Sequence, residues 1–298
     1  MPLTTSRMFK KTKTDNQIEI TGDLLIRLQK ILLEMLKDFA HVCEKHDFYY
    51  SLCGGTALGA VRHGGFIPWD DDVDLFMHRK DVAKFIEVFE SELGEKYHLH
   101  SLETTPELGI PIMRMMKKGT VLVIDDTLDC PERGVFIDIC ILENAPDNKL
   151  IRFFHGIGSL YFGLSVSCAR FYFKRDLYRK NFESAPEDVK RTIEKKIRIG
   201  RLLSWRSLSN WSAKYSKWNA LCKNNESRDV VCPISSKHYF GEIFPRSIYM
   251  TTTKVAFEDA EFEIISNYDW ALTRLYGDYM QIPPEDQRET HLVTEIRL

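Results

Sequence analysis

The chain has 298 residues, 44% of them hydrophobic and 28% charged, with a formal net charge of −2, a composition that excludes a disordered, fibrous or low-complexity protein. The small net charge hides an asymmetry, because residues 170–223 carry 15 Lys and Arg against 5 Asp and Glu, leaving the middle basic and the flanks acidic. Seven cysteines without a CxxC pair or zinc-ligand spacing read as free thiols of a reducing compartment, and residues 1–20 are positively charged but lack the apolar core of a secretory signal, so a cytoplasmic protein is expected.

After a polar leader of about twenty residues, Thr21 is placed to cap a helix over about 23–45, with Leu24, Leu25, Leu28, Ile31, Leu32, Met35 and Leu36 on one face. Residues 48–53 read as a strand, 56–62 as a short helix after a glycine turn, 73–77 as a second strand, and 80–93 as a helix that Gly94 ends. Apolar and β-branched runs at 97–102, 110–117, 121–124 and 135–142 predict further strands. The sum is an α/β (α+β) chain with a mixed sheet and helices packed against it.

The stretch from Tyr49 to Met77, YYSLCGGTALGAVRHGGFIPWDDDVDLFM, joins the glycine turn to four carboxylates. Gly54 and Gly55 let the backbone approach a phosphate with its N–H groups outward, and Asp70, Asp71, Asp72 and Asp74 offer hard oxygen ligands. Strand alternation puts Asp72, Asp74 and Phe76 on one face, with the two carboxylates about 7 Å apart, able to converge on one Mg²⁺ or bridge two ions. The plain alternative is an acidic turn that stays wet. Pro68 and Trp69 before the acids, and the apolar run after them, argue instead for a fixed, half-buried site. Asp138 lies inside the apolar strand VFIDICIL, where an uncompensated carboxylate costs several kcal/mol. Either a lysine or arginine pairs with it, or a metal shared with Asp72 and Asp74 does, and the DDDVD segment favours the metal.

From Leu150 to Asn224 the character changes to the apolar, glycine-dotted IRFFHGIGSLYFGLSVSCARFYF and then to the basic, helical EDVKRTIEKKIRIGRLLSW. Residues 153–169 hold only His155 as a titratable group but are short for a membrane span and interrupted by Gly156, Gly158 and Gly163. Burial against the core and shallow contact with a membrane both fit them. Nearer the C-terminus, 255–264 reads as a hairpin around Glu258, Asp259 and Ala260, and Asn267 as the cap of a helix over 269–276 that ends near Gly277. Pro283 and Pro284 then force an extended segment that returns Arg288 and His291 toward the rest. The expected divisions are a leader to 20, a catalytic core over 21–148, an appended basic helical region over 149–230 and a segment over 231–298 that completes the active site.

The blocks GGTALGAVRHGGFIPWDDDVDLFM at 54–77, GVFIDICIL at 134–142 and YGDYMQIPPEDQRETH at 276–291 resemble, in that order, the LicD family of phosphocholine transferases, related to the fukutin-type sugar-phosphate transferases. The resemblance covers most of residues 24–146 and 237–291 and leaves 150–230 unmatched. It implies a nucleotidyltransferase-like fold, a Mg²⁺ or Mn²⁺ ion held by carboxylates, and transfer of a phospho-alcohol from a CDP-activated donor, CDP-choline first among them. The acceptor would be a hydroxyl of a cell-surface or lipid-linked saccharide, with CMP released. By position it implies that Gly54, Gly55 and Thr56 form the phosphate turn, Asp72 and Asp74 the metal pair and Asp138 the third acid, with Asp70 in or beside the metal shell.

Asp138 or a water is then the candidate to take the hydroxyl's proton. Arg62 and His63 after the turn, Arg114 or Lys117 on a nearby strand, and Arg288 and His291 in the tail are candidates to contact phosphate, each with a surface ion pair or a cap as its plain alternative. Trp69 is the aromatic best placed to meet a quaternary ammonium, a contact worth roughly 0.5–2 kcal/mol, or else it wedges its turn into the core. A lipid-linked acceptor would add peripheral contact at the inner face of a membrane. The rival readings are a nucleotidyltransferase that releases pyrophosphate and a non-catalytic binder of glycan or nucleotide; only charge points to nucleic acid.

Overall fold

A computed structural model describes residues 18–125, 127–235, 237–288 and 290–298, so the leader expected over 1–20 lies almost wholly outside the described residues. Strand β1 (Ile18–Glu19) leads into α1 (Gly22–His46), where the leucine periodicity buries Leu25, Leu28, Leu32, Met35 and Leu36 along one face. Then follow β2 (Tyr50–Leu52), α2 (Gly54–His63), β3 (Asp74–His78), α3 (Arg79–Glu92), β4 (Tyr97–His100), β5 (Met113–Lys117), β6 (Val121–Ile124) and β7 (Phe136–Ala145). The apolar run at 97–102 leaves the ladder early because the Ser101 hydroxyl accepts from the N–H groups of Glu103 and Thr104, bending the chain into a turn.

Residues 149–219 hold four consecutive helices, α4 (Lys149–Phe173), α5 (Arg175–Asn181), α6 (Glu187–Leu203) and α7 (Leu208–Asn219). The Asn148 side chain caps α4 by accepting from the N–H groups of Leu150 and Ile151. Short elements follow: β8 (Asp229–Val231), α8 (His238–Gly241), β9 (Ile243–Pro245) and α9 (Arg246–Tyr249). The expected hairpin is β10 (Thr252–Phe257) with β11 (Ala260–Ile265), and α10 (Tyr268–Tyr276) is capped by Asn267 and ended by Gly277, as read. After a 3₁₀ turn over Glu285–Gln287, β12 (Leu292–Arg297) closes the chain.

The large mixed sheet has the order β10-β11-β2-β3-β7-β5-β4, with β8 and β9 added to the far end of β7, and β1, β12 and β6 make a separate three-stranded sheet. Strands β3 and β7 are parallel; their outer neighbours β2 and β5 run antiparallel to them. Leu75, Met77, Ile137 and Ile139 point to one face, fully buried with Phe39 of α1 and Phe85 of α3 in the main core. Phe76 and Cys140 point to the other, where Phe244, Tyr249 and Ile265 cover them. Asp74, the first residue of β3, and Asp138, near the start of β7, share this second face, both partly exposed.

Candidate active site

The parallel pairing of β3 and β7 sets Asp74 directly opposite Asp138. Asp72 and Asp70 precede β3, in a turn closed by the Asp70 N–H donating to the Ile67 carbonyl at 2.8 Å. Strand alternation is therefore only part of what brings the acids together, a correction to the sequence reading. The turn itself carries Asp70 and Asp72 toward Asp74, and Gln29 of α1 fastens it by donating to the Asp70 carbonyl at 2.9 Å.

The double glycine is the start of α2 rather than a loop before it. Gly54 has φ +54°, and the Ala57 N–H reaches the Cys53 carbonyl at 3.0 Å. A Cβ on Gly54 would lie 2.9 Å from Asp74 Oδ2, and one on Gly55 3.1 Å from Asp70 Oδ2. The glycines thus admit two carboxylates against the positive end of a helix, besides the phosphate for which the sequence suggested them. Thr56 pins the same corner, its Oγ1 accepting from the Asp74 N–H at 2.9 Å, so in this structure its hydroxyl serves the strand rather than facing open space.

Asp70 Oδ2 is buried with no hydrogen-bond partner among the described residues. Burial first, and then the charges of Asp72, Asp74 and Asp71, hold the Asp70 carboxyl well above the usual carboxylate range. Burial also raises Asp72, against an opposing pull from His291. Crowded acids around an orphaned buried oxygen are the donor set of a hard divalent cation, so these residues fit the Mg²⁺ or Mn²⁺ that the resemblance implies. Tyr276, which opens the tail block but was not singled out from the sequence, belongs here as well. Burial and the charges of Asp74, Cys53, Asp70 and Asp72 push its hydroxyl up.

The basic candidates divide. Arg114 of β5 lies across from Asp138 and grips it with a fork, Nε to Oδ1 at 2.6 Å and Nη2 to Oδ2 at 3.2 Å. The arginine-paired reading of Asp138 is therefore what the structure shows, with both carboxylate oxygens engaged. Lys117 turns away to Glu34 at 3.3 Å. Arg62 does not face the acids; its Nη1 donates to the carbonyls of Tyr279 at 2.9 Å and Gln281 at 3.2 Å, and so anchors the tail. His63 meets Trp69 edge-on at 6.5 Å, and the Arg288 guanidinium lies 4.2 Å above the Trp69 ring. The face of Trp69 proposed for a ligand cation is covered by the protein's own cation.

His291 returns to the acids as the proline segment suggested, its backbone N–H 2.8 Å from Asp71 Oδ2 and its Nδ1 2.9 Å from Asp71 Oδ1. Asp71, Asp72 and His291 offer ligand atoms all within 4.8 Å of one another. A cleft of about 530 Å³ opens beside Gly54 on the Phe76 side, with Phe244, Tyr249 and Tyr268 in its wall and Lys237, Glu242 and Arg274 among its charged groups. Residues 237–275 carried no sequence signal for this cleft, because its lining comes from separate short elements.

Residues 47–121 match the family described as LicD/FKTN/FKRP, nucleotidyltransferase domain. The chain is similar to the lipopolysaccharide cholinephosphotransferase LicD of Haemophilus influenzae, 28% identical over 284 residues that span 91% of this chain and 97% of that protein. It is also similar to the ribitol 5-phosphate transferase FKRP of Homo sapiens and of Mus musculus, 40% identical over 65 residues, 22% of this chain and 13% of each of those proteins.

Proposed function

We propose that this chain acts as a LicD-type transferase, moving phosphocholine, or a similar phospho-alcohol, from a CDP-activated donor to a hydroxyl of a cell-surface or lipid-linked glycan. The observation that carries the reading is the acid cluster: Asp74 opposite Asp138 on parallel strands, with Asp70 and Asp74 drawn against the N-terminus of α2 by two glycines. Asp70, Asp72 and Asp74, with Asp138 beside them, would hold a Mg²⁺ or Mn²⁺ ion, which when bound neutralises pyrophosphate oxygens that otherwise repel an incoming hydroxyl. The first N–H groups of α2 give the donor phosphate a second, uncharged contact.

Arg114 holds Asp138 in place. The acceptor oxygen forms a bond to the phosphorus distal to cytidine, the bond from that phosphorus to the CMP oxygen breaks, and the hydroxyl proton passes to a carboxylate of this cluster. Wall residues Phe76, Phe244 and Tyr249 make the adjoining cleft suited to the donor's organic part. A cytoplasmic site of action is part of this proposal, and none of the seven cysteines is placed in a disulfide.

The test is CMP release from a panel of CDP-alcohols, with and without Mg²⁺, in the presence of a glycan extract. Metal-dependent CMP from one donor supports the reading and names the transferred group. Pyrophosphate from a nucleoside triphosphate, with no CMP from any CDP-alcohol, would replace it with nucleotidyl transfer.

A further inference from the structure

Helix α4 wears its polarity inside out over its first four turns. Toward the protein it buries His155, Gly156 and Ser159, and the His155 ring is held at 2.8 Å by both the Tyr239 hydroxyl and the Trp218 carbonyl. Toward solvent, every exposed residue from 150 to 164 is apolar or aromatic, including Leu150, Phe153, Phe154, Ile157, Tyr161 and Leu164 at 45–66% exposure. A helix facing water is built the other way round, and a contiguous apolar surface of this kind marks an interaction site. At the end of neighbouring α6, Leu202 and Trp205 are 78% and 64% exposed, with the Arg206 guanidinium 4.2 Å over the Trp205 ring.

Charge decides what this surface meets. Packed against α4 are α6 and α7, which lie in the stretch with 15 basic and 5 acidic residues, and Arg198, Arg201, Lys217 and Lys223 are exposed. A second copy docked through the same face would set like charges against each other, whereas a layer of anionic headgroups attracts them. No helix among the described residues is long and apolar enough to cross a membrane, so α4 would lie along the surface with its apolar side chains below the headgroups and the arginines at their level. We propose that the outer face of α4, with the end of α6, is the surface by which this protein lies on an anionic lipid bilayer. The inference stands on that face and does not depend on which group is transferred.

The full chain is sedimented with phosphatidylglycerol vesicles and with phosphatidylcholine vesicles, beside the triple variant Leu150→Gln, Phe154→Gln, Ile157→Gln and the double variant Arg198→Gln, Arg201→Gln. The expected result is binding to phosphatidylglycerol at least tenfold tighter than to phosphatidylcholine. The triple variant should lose at least tenfold of it, and the double variant should bind more weakly and with less dependence on salt. Since the three residues of the triple variant are exposed, its thermal midpoint and its CMP release with a water-soluble acceptor should match wild type; if no CMP is released by either protein, the vesicle result still decides this proposal alone. Absence of binding to phosphatidylglycerol, or wild-type binding by the triple variant, overturns it. So does a concentration-dependent dimer in light scattering that the triple variant abolishes while vesicles bind neither protein, which would assign the face to a second copy.

Discussion

Asp70 sits in an environment that works against folding as long as its charge is uncompensated. Its carboxyl is raised well above 3.8 by burial and by neighbouring acids, so without metal the stability it costs grows as pH rises above the unfolded value, until the folded group ionises. Asp70→Asn is expected to raise the thermal midpoint in EDTA by a few degrees, for a gain of about 1 kcal/mol, and to reduce activity at least tenfold; an unchanged midpoint would show that the acid is not strained. His78 gives the opposite slope. It is fully buried, with Nδ1 accepting from the Lys80 N–H and Nε2 at 2.9 Å from Asn144 Oδ1, and burial lowers its pKa from 6.5 to about 4. The folded ring stays neutral where the unfolded one takes a proton, so its contribution is whole above about pH 6.5 and is lost as pH falls toward 4, on the order of 3 kcal/mol in all. Urea midpoints should drop between pH 7 and pH 5 in wild type and drop less in His78→Gln. The roles of single residues were only partly legible. Asp138 was visible as a carboxylate in an apolar strand, but that Arg114 would be its partner depended on β5 lying beside β7 with these two residues in register.

At the scale of elements, close approach explains the glycines that sequence pattern alone leaves ambiguous. Gly54 takes a left-handed φ and faces Asp74, so Gly54→Ala adds both backbone strain and a contact 2.9 Å from Oδ2. Activity should fall at least tenfold in the CMP-release assay, with the circular dichroism spectrum retained. In α4, Gly158 lies against α7, where a Cβ would come within 2.1 Å of the Trp218 indole, itself tied to the His155 carbonyl through Nε1 at 2.8 Å. Gly158→Ala must push the two helices apart and should cost about 1–3 kcal/mol of stability, read as a lower urea midpoint at an unchanged slope. Helix α1 was legible from its leucine periodicity, although Thr21 at its start makes no side-chain capping bond, and α10 and the β10–β11 hairpin from the Asn267 cap and local turn chemistry. The end of α2 that receives the acids was read as a loop, because a helix opening on Gly-Gly is tolerated only where something nearby requires the missing side chains.

For the whole molecule, the site is assembled from segments far apart in the chain: the turn before β3, one residue each on β5 and β7, the end of α10, and a tail held by Arg62 and Asp71. A cation that joins them should stabilise the entire fold. A Mg²⁺ concentration a hundredfold above its dissociation constant adds about 2.7 kcal/mol, so wild type should unfold later with Mg²⁺ than with EDTA while Asp74→Asn shows no difference; an equal shift in both would place the bound ion elsewhere. The sequence by itself determined the α/β class, the order of the elements over residues 22–145, the acids and glycines of the first block, and the LicD resemblance, because these depend on local patterning and on residues close together in the chain. Only the tertiary structure decided that Arg114 serves Asp138, that Arg62 holds the tail, that Arg288 covers Trp69, and that α4 turns its apolar side outward. Each of these follows from sheet register or helix packing between distant segments, where one side chain can satisfy any of several partners and only the fold selects which one it meets.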